Sequence, residues 1–371
     1  MKEHKEGAAE LIELGRNFPP PSPLVQDALR DSFFYLSRVN AADRVRFPRF
    51  SGSIKDREAG ASWLARRFDL KLDPDRIVIA NGTQSVLVML MAHYLEPGGV
   101  LLTEALTYPA IKPLSQLLHV TLQGVPLDAD GIEPGSLEQA CLQHKGKARV
   151  LYCMPTLHNP TSATMSKSRR QEIASIARRH NLVIIEDDIY GVLREDAPPP
   201  LSANAPERSW YILGLSKSLS CQLRVAYVVG PSPSMTQKAF WPGVKTTNWM
   251  VAPLIAEIAT RWLTTHLASD ILESVRVETK VRRTIANKFL GKPVPIHESS
   301  YHLWIEVPRD TTLAAFVVAL RQRGVAVSPG DSFAVGSVLG DTRIRIGLGA
   351  AADHSLLRTG LSIIRQALER T

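Results

Sequence analysis

Residues 182–190 read Leu-Val-Ile-Ile-Glu-Asp-Asp-Ile-Tyr, four apolar residues running straight into three carboxylates. The run Leu182–Ile185 is too short for a helix and does not alternate, as expected of a strand covered on both faces. The pattern recurs in both directions. C-terminal to it come Trp210–Leu215, ending in Ser216-Lys217-Ser218, and then Arg224–Val229. N-terminal to it lie Ala148–Met154, Val100–Thr103 and Ile77–Ala80. Helical patterns fill the gaps. One is expected to open at a capping box, Ser168-Arg169-Arg170-Gln171, and to turn Ile173, Ile176 and Ala177 toward the core. Strands alternating with helices predict an α/β fold around a mainly parallel sheet.

After Gly230 the character changes. Residues 250–290 read as long helices, one carrying the basic segment SVRVETKVRRTIANKF. A strand (Tyr301–Val307), a helix (Thr312–Arg323), two strands (Val325–Ser328 and Thr342–Leu348) and a closing helix over 354–369 follow. This is the pattern of a smaller α+β domain. Near the other end, Phe18-Pro19-Pro20-Pro21-Ser22-Pro23 is too proline-rich for a helix and reads as an ordered arm lying over the rest, with a floppy leader as the alternative.

A chain of 371 residues is long enough for two domains. Its apolar fraction of 44% and charged fraction of 22% exclude global disorder. The net charge of +8 is scattered and has no nucleic-acid reading element beside it, so nucleic acid is not an expected partner. Cys141, Cys153 and Cys221 form no close pair and no zinc spacing, which argues against disulfides and a metal site. The N-terminus lacks the apolar stretch of a signal peptide, and the longest apolar run, Val86–Met91, is far short of a membrane span. A cytoplasmic setting is expected.

Six local features carry chemistry. Lys217 stands where a buried strand ends, a place where desolvation favours the neutral, nucleophilic amine; Arg224, seven residues on, suits a phosphate. Asp187 or its neighbour Asp188 can pair with a protonated pyridine nitrogen, with Tyr190 three residues beyond Asp187. Asn159, before Pro160, offers a fixed amide. Gly82-Thr83-Gln84 opens a helix after a strand, a ready anion site. Arg343 and Arg345 share one face of a strand, and either suits a carboxylate. Tyr108 can stack on a planar ring. Each also has a plain structural meaning, as a turn, a cap, a core tyrosine or a solvated arginine.

Taken in order, Gly82-Thr83-Gln84, Tyr108, Asn159-Pro160-Thr161, Asp187 with Tyr190, Ser216-Lys217, Arg224 and Arg345 resemble the class I/II aminotransferases, fold-type I pyridoxal-phosphate (PLP) enzymes. The likeness runs from about Ile12 to Leu368. Through Phe47–Arg57, Gly324–Phe333 and Thr342–Ala350 it comes nearest the aminotransferase-like domain of MocR-type regulators and stand-alone α-aminoadipate/kynurenine aminotransferases. The resemblance implies a large PLP-binding domain (46–250) built on a mostly parallel sheet of the seven-stranded type. It also implies a small C-terminal domain (251–371), to which an N-terminal arm (1–45) contributes, and a homodimer. Lys217 would form the Schiff base with PLP and move the proton. Asp187 would pair with the ring nitrogen, Asn159 and Tyr190 with the ring hydroxyl. Gly82, Thr83, Gln84, Ser216 and Arg224 would hold the phosphate, Tyr108 would stack, and Arg345, with Asn159, would meet the substrate. The implied reaction moves an amino group from an α-amino acid to an α-keto acid.

Four departures from the family pattern stand out. Gly214 occupies the place of a phosphate-binding Ser or Thr, and Ser162 that of a glycine. Cys221-Gln222 replaces proline-glycine, and Phe47 stands where a tyrosine reaches the neighbouring subunit. They predict a weaker phosphate cup. The competing readings are a MocR-like ligand-sensing module without its DNA-binding domain, and a lyase, racemase or decarboxylase on the same fold.

Overall fold

The computed structural model describes residues 11–369 except 41, 44–45, 222, 292–296 and 337–341. Its strands are β1 (Ile12–Glu13), β2 (Ile77–Ala80), β3 (Val100–Glu104), β4 (Thr121–Val125), a small hairpin β5 (Leu127–Asp128) and β6 (Gly131–Ile132), then β7 (Ala148–Cys153), β8 (Val183–Asp187), β9 (Ser209–Gly214), β10 (Ala226–Val229), β11 (His302–Glu306), β12 (Val325–Ala326), β13 (Ser328–Pro329) and β14 (Arg343–Gly347).

Seven of them form one sheet in the order β2-β10-β9-β8-β7-β3-β4. Only β10 runs antiparallel to its neighbours β2 and β9; the other pairs are parallel. Neighbouring residues of one strand serve opposite faces. Ile185 and Tyr152 join one core cluster while Ile184, Leu151 and Cys153 join another. Helices cover both faces, which is why these strands read as unbroken apolar runs. The sheet predicted from the sequence is therefore present, with strand bounds within about two residues of those expected. β4 was not predicted. It lies at the edge, and its Gln123 and Gly124 are half-buried, so no apolar run announces it.

The helix expected to start at a Ser168 capping box spans Lys167–Arg179, and its cap is Ser166, whose Oγ accepts the Arg169 amide at 3.2 Å. Asp130 fixes that choice, accepting from both the amide and the hydroxyl of Ser166. The inward residues Ile173, Ile176 and Ala177 are as expected.

In the C-terminal part, β11, β14 and β13 make a three-stranded sheet, and β1 pairs in parallel with β12. The proline run after β1 leads into a helix, Pro23–Arg38, that packs on the helices Pro253–Thr264 and Leu267–Leu290. Trp262 Nε1 donates to Ser32 Oγ across that contact at 2.9 Å. The described part of the N-terminal arm is thus ordered, with its irregular stretch at residues 14–22 running beside the ends of the large sheet's strands.

Candidate active site

Parallel strands share one carboxyl edge, and ligands of α/β sheets bind there. β2, β3, β7, β8 and β9 lead respectively to Gly82, Tyr108, Asn159, Asp187 and Lys217. β10 runs the other way, so its start, next to Arg224, falls on the same edge. One cavity is lined by Gly82, Thr83, Gln84, Tyr108, Asn159, Asp187, Tyr190, Ser216, Lys217 and Arg224. Those are all ten of the cofactor residues expected from the sequence.

At one end of the cavity the helix Gly82–Tyr94 begins. Gly82 has φ of +77°, and a Cβ there would sit 3.2 Å from Arg224 Nη2, so glycine lets the guanidinium lie against the helix start. Arg224 itself takes a left-handed φ of 52°, and its guanidinium has no hydrogen bond or ion pair among the described residues. Thr83 Oγ1 is buried there without a partner. This end presents a cation, a hydroxyl and free helix N–H groups, a donor set for an anion.

Asp187, buried at the end of β8, accepts from Tyr152 Oη at 3.1 Å through Oδ2, while its Oδ1 has no partner. Burial pushes its carboxyl up to about 7. A buried carboxylate oxygen left unpaired is costly unless a cation meets it. Asp188 differs. Its Oδ2 accepts from Arg67 Nε and Tyr211 Oη, each at 2.9 Å. Glu186 is spent on Arg170, on the Leu201 and Ser202 amides and on the Ser202 hydroxyl. Of the three carboxylates, only Asp187 lines the cavity.

Lys217 has its amine lowered to about 8, first by burial and next by the Arg345 charge. Its Nζ donates to the Asn17 carbonyl. Tyr190 Oη accepts from Asn17 Nδ2 at 2.8 Å, and Tyr108 Oη from Gln84 Nε2 at 3.1 Å.

Arg345, buried on β14, donates to Asn159 Oδ1 (2.8 Å), the Gly15 carbonyl (2.6 Å) and Ser328 Oγ (3.2 Å). With its oxygen so engaged, Asn159 keeps its amide hydrogens for another acceptor. Arg343 lies two residues away, against a separate cavity shared with Thr161, Ser162 and Trp304. Arg345 is the arginine brought to Asn159.

Two of the four departures, Ser162 and Gly214, find physical reasons. Ser162 adopts φ of +62°, the conformation that favours glycine, and its hydroxyl is held by Ser300 Oγ (2.8 Å) and the His302 carbonyl (3.2 Å). Gly214 faces Thr83. Gln222 lies outside the described residues, and Phe47 is exposed on the surface. Three polar residues at the site were not foreseen. Tyr152 is hidden in an apolar strand, Asn17 lies in the arm, and Glu104, at the end of β3, accepts the Met154 amide at 2.7 Å. Burial pushes Glu104 up to about 8 and His158, 4.0 Å away, down to about 4, so near neutral pH this contact is not an ion pair.

Residues 10–364 match the family model for aminotransferase class I and II. The HTH-type transcriptional regulator YdeF of Bacillus subtilis (strain 168) is 30% identical over 307 residues, which is 82% of this chain and 66% of the regulator. The chain thus spans about two thirds of that relative's length. Aromatic-amino-acid aminotransferase 1 of Thermococcus litoralis is 23% identical, over 88% of this chain and 80% of that enzyme. Among solved structures, kynurenine aminotransferase of Pyrococcus horikoshii, crystallised with PMP, superposes with a TM-score of 0.87 at 23% identity, covering 98% of this chain and 91% of that one. LysN, the α-aminoadipate aminotransferase of Thermus thermophilus, gives a TM-score of 0.84 at 22% identity, over 97% and 92% of the two chains. The fold is that of these enzymes, and with a family match over nearly its whole length the chain belongs to the class I and II aminotransferases.

Proposed function

We propose that this chain is a PLP-dependent aminotransferase that takes the amino group of an α-amino acid and passes it to an α-keto acid. One observation carries the reading: an amine of lowered basicity, Lys217, and a buried carboxylate oxygen without a partner, on Asp187, line the same cavity. The residues fit PLP. Asp187 Oδ1 suits the protonated ring nitrogen, and Arg224, Thr83 and the helix start at Gly82 suit the phosphate. Tyr108 supplies the stacking surface, and Asn159 and Tyr190 the donors for the ring hydroxyl. When bound, PLP supplies an electron sink for the bond being broken at the substrate Cα.

The chain's own part is to bind, orient and move a proton. Arg345, beside Asn159, takes the substrate carboxylate with a planar fork of donors. Lys217 Nζ holds and returns the proton that leaves the substrate Cα, a task its basicity near neutral pH favours. Asp187 keeps the ring cationic. The test is to load the protein with PLP, offer each amino acid in turn and follow the absorbance change to the pyridoxamine form. Conversion with one class of amino acids supports transamination.

The likeness to HTH-type regulators favours a second reading, a ligand-sensing module. It is supported if amino acids shift the spectrum of the bound cofactor and no keto acid is released. We also propose a homodimer. Phe47, Ile54 and Trp241 are exposed, and Phe50 packs edge-on against Trp241 at 5.3 Å beside a surface cavity of about 560 Å³. We also propose a cytoplasmic setting, in which the free thiols Cys141, Cys153 and Cys221 would stay reduced.

A further inference from the structure

Tyr190 is backed by a short chain of polar groups whose donors and acceptors can be assigned one by one. His302, the first residue of β11, has its Nε2 3.1 Å from the His158 carbonyl. A carbonyl only accepts, so the ring proton is on Nε2 and Nδ1 presents a lone pair. Burial, and next the Arg345 charge, lower this imidazole to about 3, so a second proton is not held near neutral pH. Asn17 Nδ2 lies 3.2 Å from that Nδ1 and 2.8 Å from Tyr190 Oη. The amide must present its nitrogen here, because its oxygen would face the lone pair of Nδ1. Both Nδ2 hydrogens are then spent, one on His302 and one on Tyr190. Asn17 is 7% exposed, and its Oδ1 has no hydrogen-bond partner.

Tyr190 Oη therefore receives a hydrogen bond, and among the described residues no group accepts its own proton. We infer that Asn17 and His302 are positioning residues that fix the direction of this chain, so that Tyr190 donates its phenolic proton into the cavity, to the ring oxygen of the cofactor. This rests on the reading of the site as a PLP site. Asn17 is well placed to act as an anchor. The Gly15 carbonyl accepts from Arg345, and β1 is paired with β12, so the segment that carries Asn17 is held at both levels without the Lys217 amine. A side chain at Gly347 or Gly349 would strike the carbonyls of Arg16 and Phe18, so the arm lies pressed against the end of β14.

A hydrogen bond to the ring oxygen stabilises its negative charge, most of all once the attached lysine nitrogen has lost its proton. Donation by Tyr190 thus lowers the pH at which that proton is lost, which the visible absorption of the PLP-loaded protein reports. Asp187, Tyr108, Tyr301 and Arg345 bear on Tyr190, and His158 and Lys217 on His302; none of them is altered in the test.

The test is a spectrophotometric pH titration of the PLP-loaded protein and of Tyr190→Phe, Asn17→Leu, His302→Leu and the double variant Asn17→Leu/Tyr190→Phe. Tyr190→Phe is expected to raise the midpoint by about one to two pH units. Asn17→Leu frees the Tyr190 proton to turn to His302 Nδ1, and His302→Leu frees the Asn17 amide to turn over. Each should raise the midpoint by about half a unit to one unit, and Asn17→Leu should add nothing on top of Tyr190→Phe. If Tyr190→Phe leaves the midpoint unmoved, or PLP gives no such band, the PLP reading of the site fails. If Tyr190→Phe raises it while neither Asn17→Leu nor His302→Leu does, or if the double variant is additive, the assignment of Asn17 and His302 is overturned and the PLP reading stands.

Discussion

A Cβ placed on Gly214 would lie 2.7 Å from Thr83 Oγ1. The absent side chain at 214 and the hydroxyl at 83 thus contend for one space, and this chain fills it from the helix side. Thr83 Oγ1 is buried with no partner, as a group awaiting an anion would be. Thr83→Ala should weaken PLP binding roughly ten- to a hundred-fold, the loss of a hydrogen bond to a charged group. Gly214→Ser alone should also weaken it through crowding, and Thr83→Ala/Gly214→Ser should recover part of the loss. Absorbance titration of the four proteins with PLP decides this, and equal affinities throughout refute it.

Lys217 should carry the cofactor. Borohydride reduction of the PLP-loaded protein, followed by peptide mapping, is expected to place a phosphopyridoxyl group on Lys217 and on no other lysine. A label elsewhere, or none, removes the basis of the proposed function.

The two adjacent aspartates should separate cleanly. Asp187→Ala removes the partner of the ring nitrogen and should abolish most of the amino-acid half-reaction, at a smaller cost to the fold because it strands a hydroxyl, that of Tyr152, and no guanidinium. Asp188→Ala strands a buried guanidinium, since Arg67 Nε and Tyr211 Oη both depend on it. Breaking such a pair costs ~3–5 kcal/mol, so this variant should unfold at markedly lower urea with its half-reaction retained while folded. Half-reaction kinetics beside urea titration test both, and the reverse ranking refutes the assignment.

What the sequence revealed, and what it hid, follows from where each residue packs. The strands of the large sheet were legible because neighbours such as Ile184 and Ile185 face two separate cores, leaving no polar position to break the run. The order of the site residues was legible because most of them follow a strand end, and strand ends can be read locally. Tyr152 was not, since an aromatic in a buried strand reads as core until its hydroxyl is seen on Asp187. Asn17 was hidden for a different reason: its partners Tyr190 and His302 lie 173 and 285 residues away, and no local pattern carries such contacts. Ser166 was missed as a cap because Asp130, which selects it, belongs to another element.

Arg345 and Arg343 share a strand face, but only Arg345 meets Asn159. Arg345→Gln should weaken amino-acid binding by very roughly ten- to a hundred-fold and leave PLP affinity almost unchanged. Arg343→Gln should change neither much. The concentration dependence of the half-reaction tests this. If Arg343→Gln is the damaging change, the carboxylate site lies in the neighbouring cavity.

Glu104 gives a prediction about stability rather than catalysis. Burial holds its carboxyl at about 8, above its ordinary value, so the folded state retains a proton that the unfolded chain gives up near pH 4.5. Its contribution is fully present below pH 4.5 and is lost as pH rises toward 8, at up to ~1.4 kcal/mol per pH unit. Asp187, raised to about 7, acts in the same direction until pH 7. His158 and His302, lowered to about 4 and about 3, act oppositely, but only below their ordinary value of 6.5. Lys217, lowered to about 8, adds stability only above that pH. Between pH 6.5 and 8 the carboxyls therefore dominate, and the cofactor-free protein should lose stability across that window. Glu104→Gln keeps the shape and cannot ionise, so it should flatten the decline, most clearly from pH 7 to 8. Urea denaturation of both proteins at pH 6.5, 7 and 8 measures it, and parallel slopes would show that Glu104 is ionised in the fold.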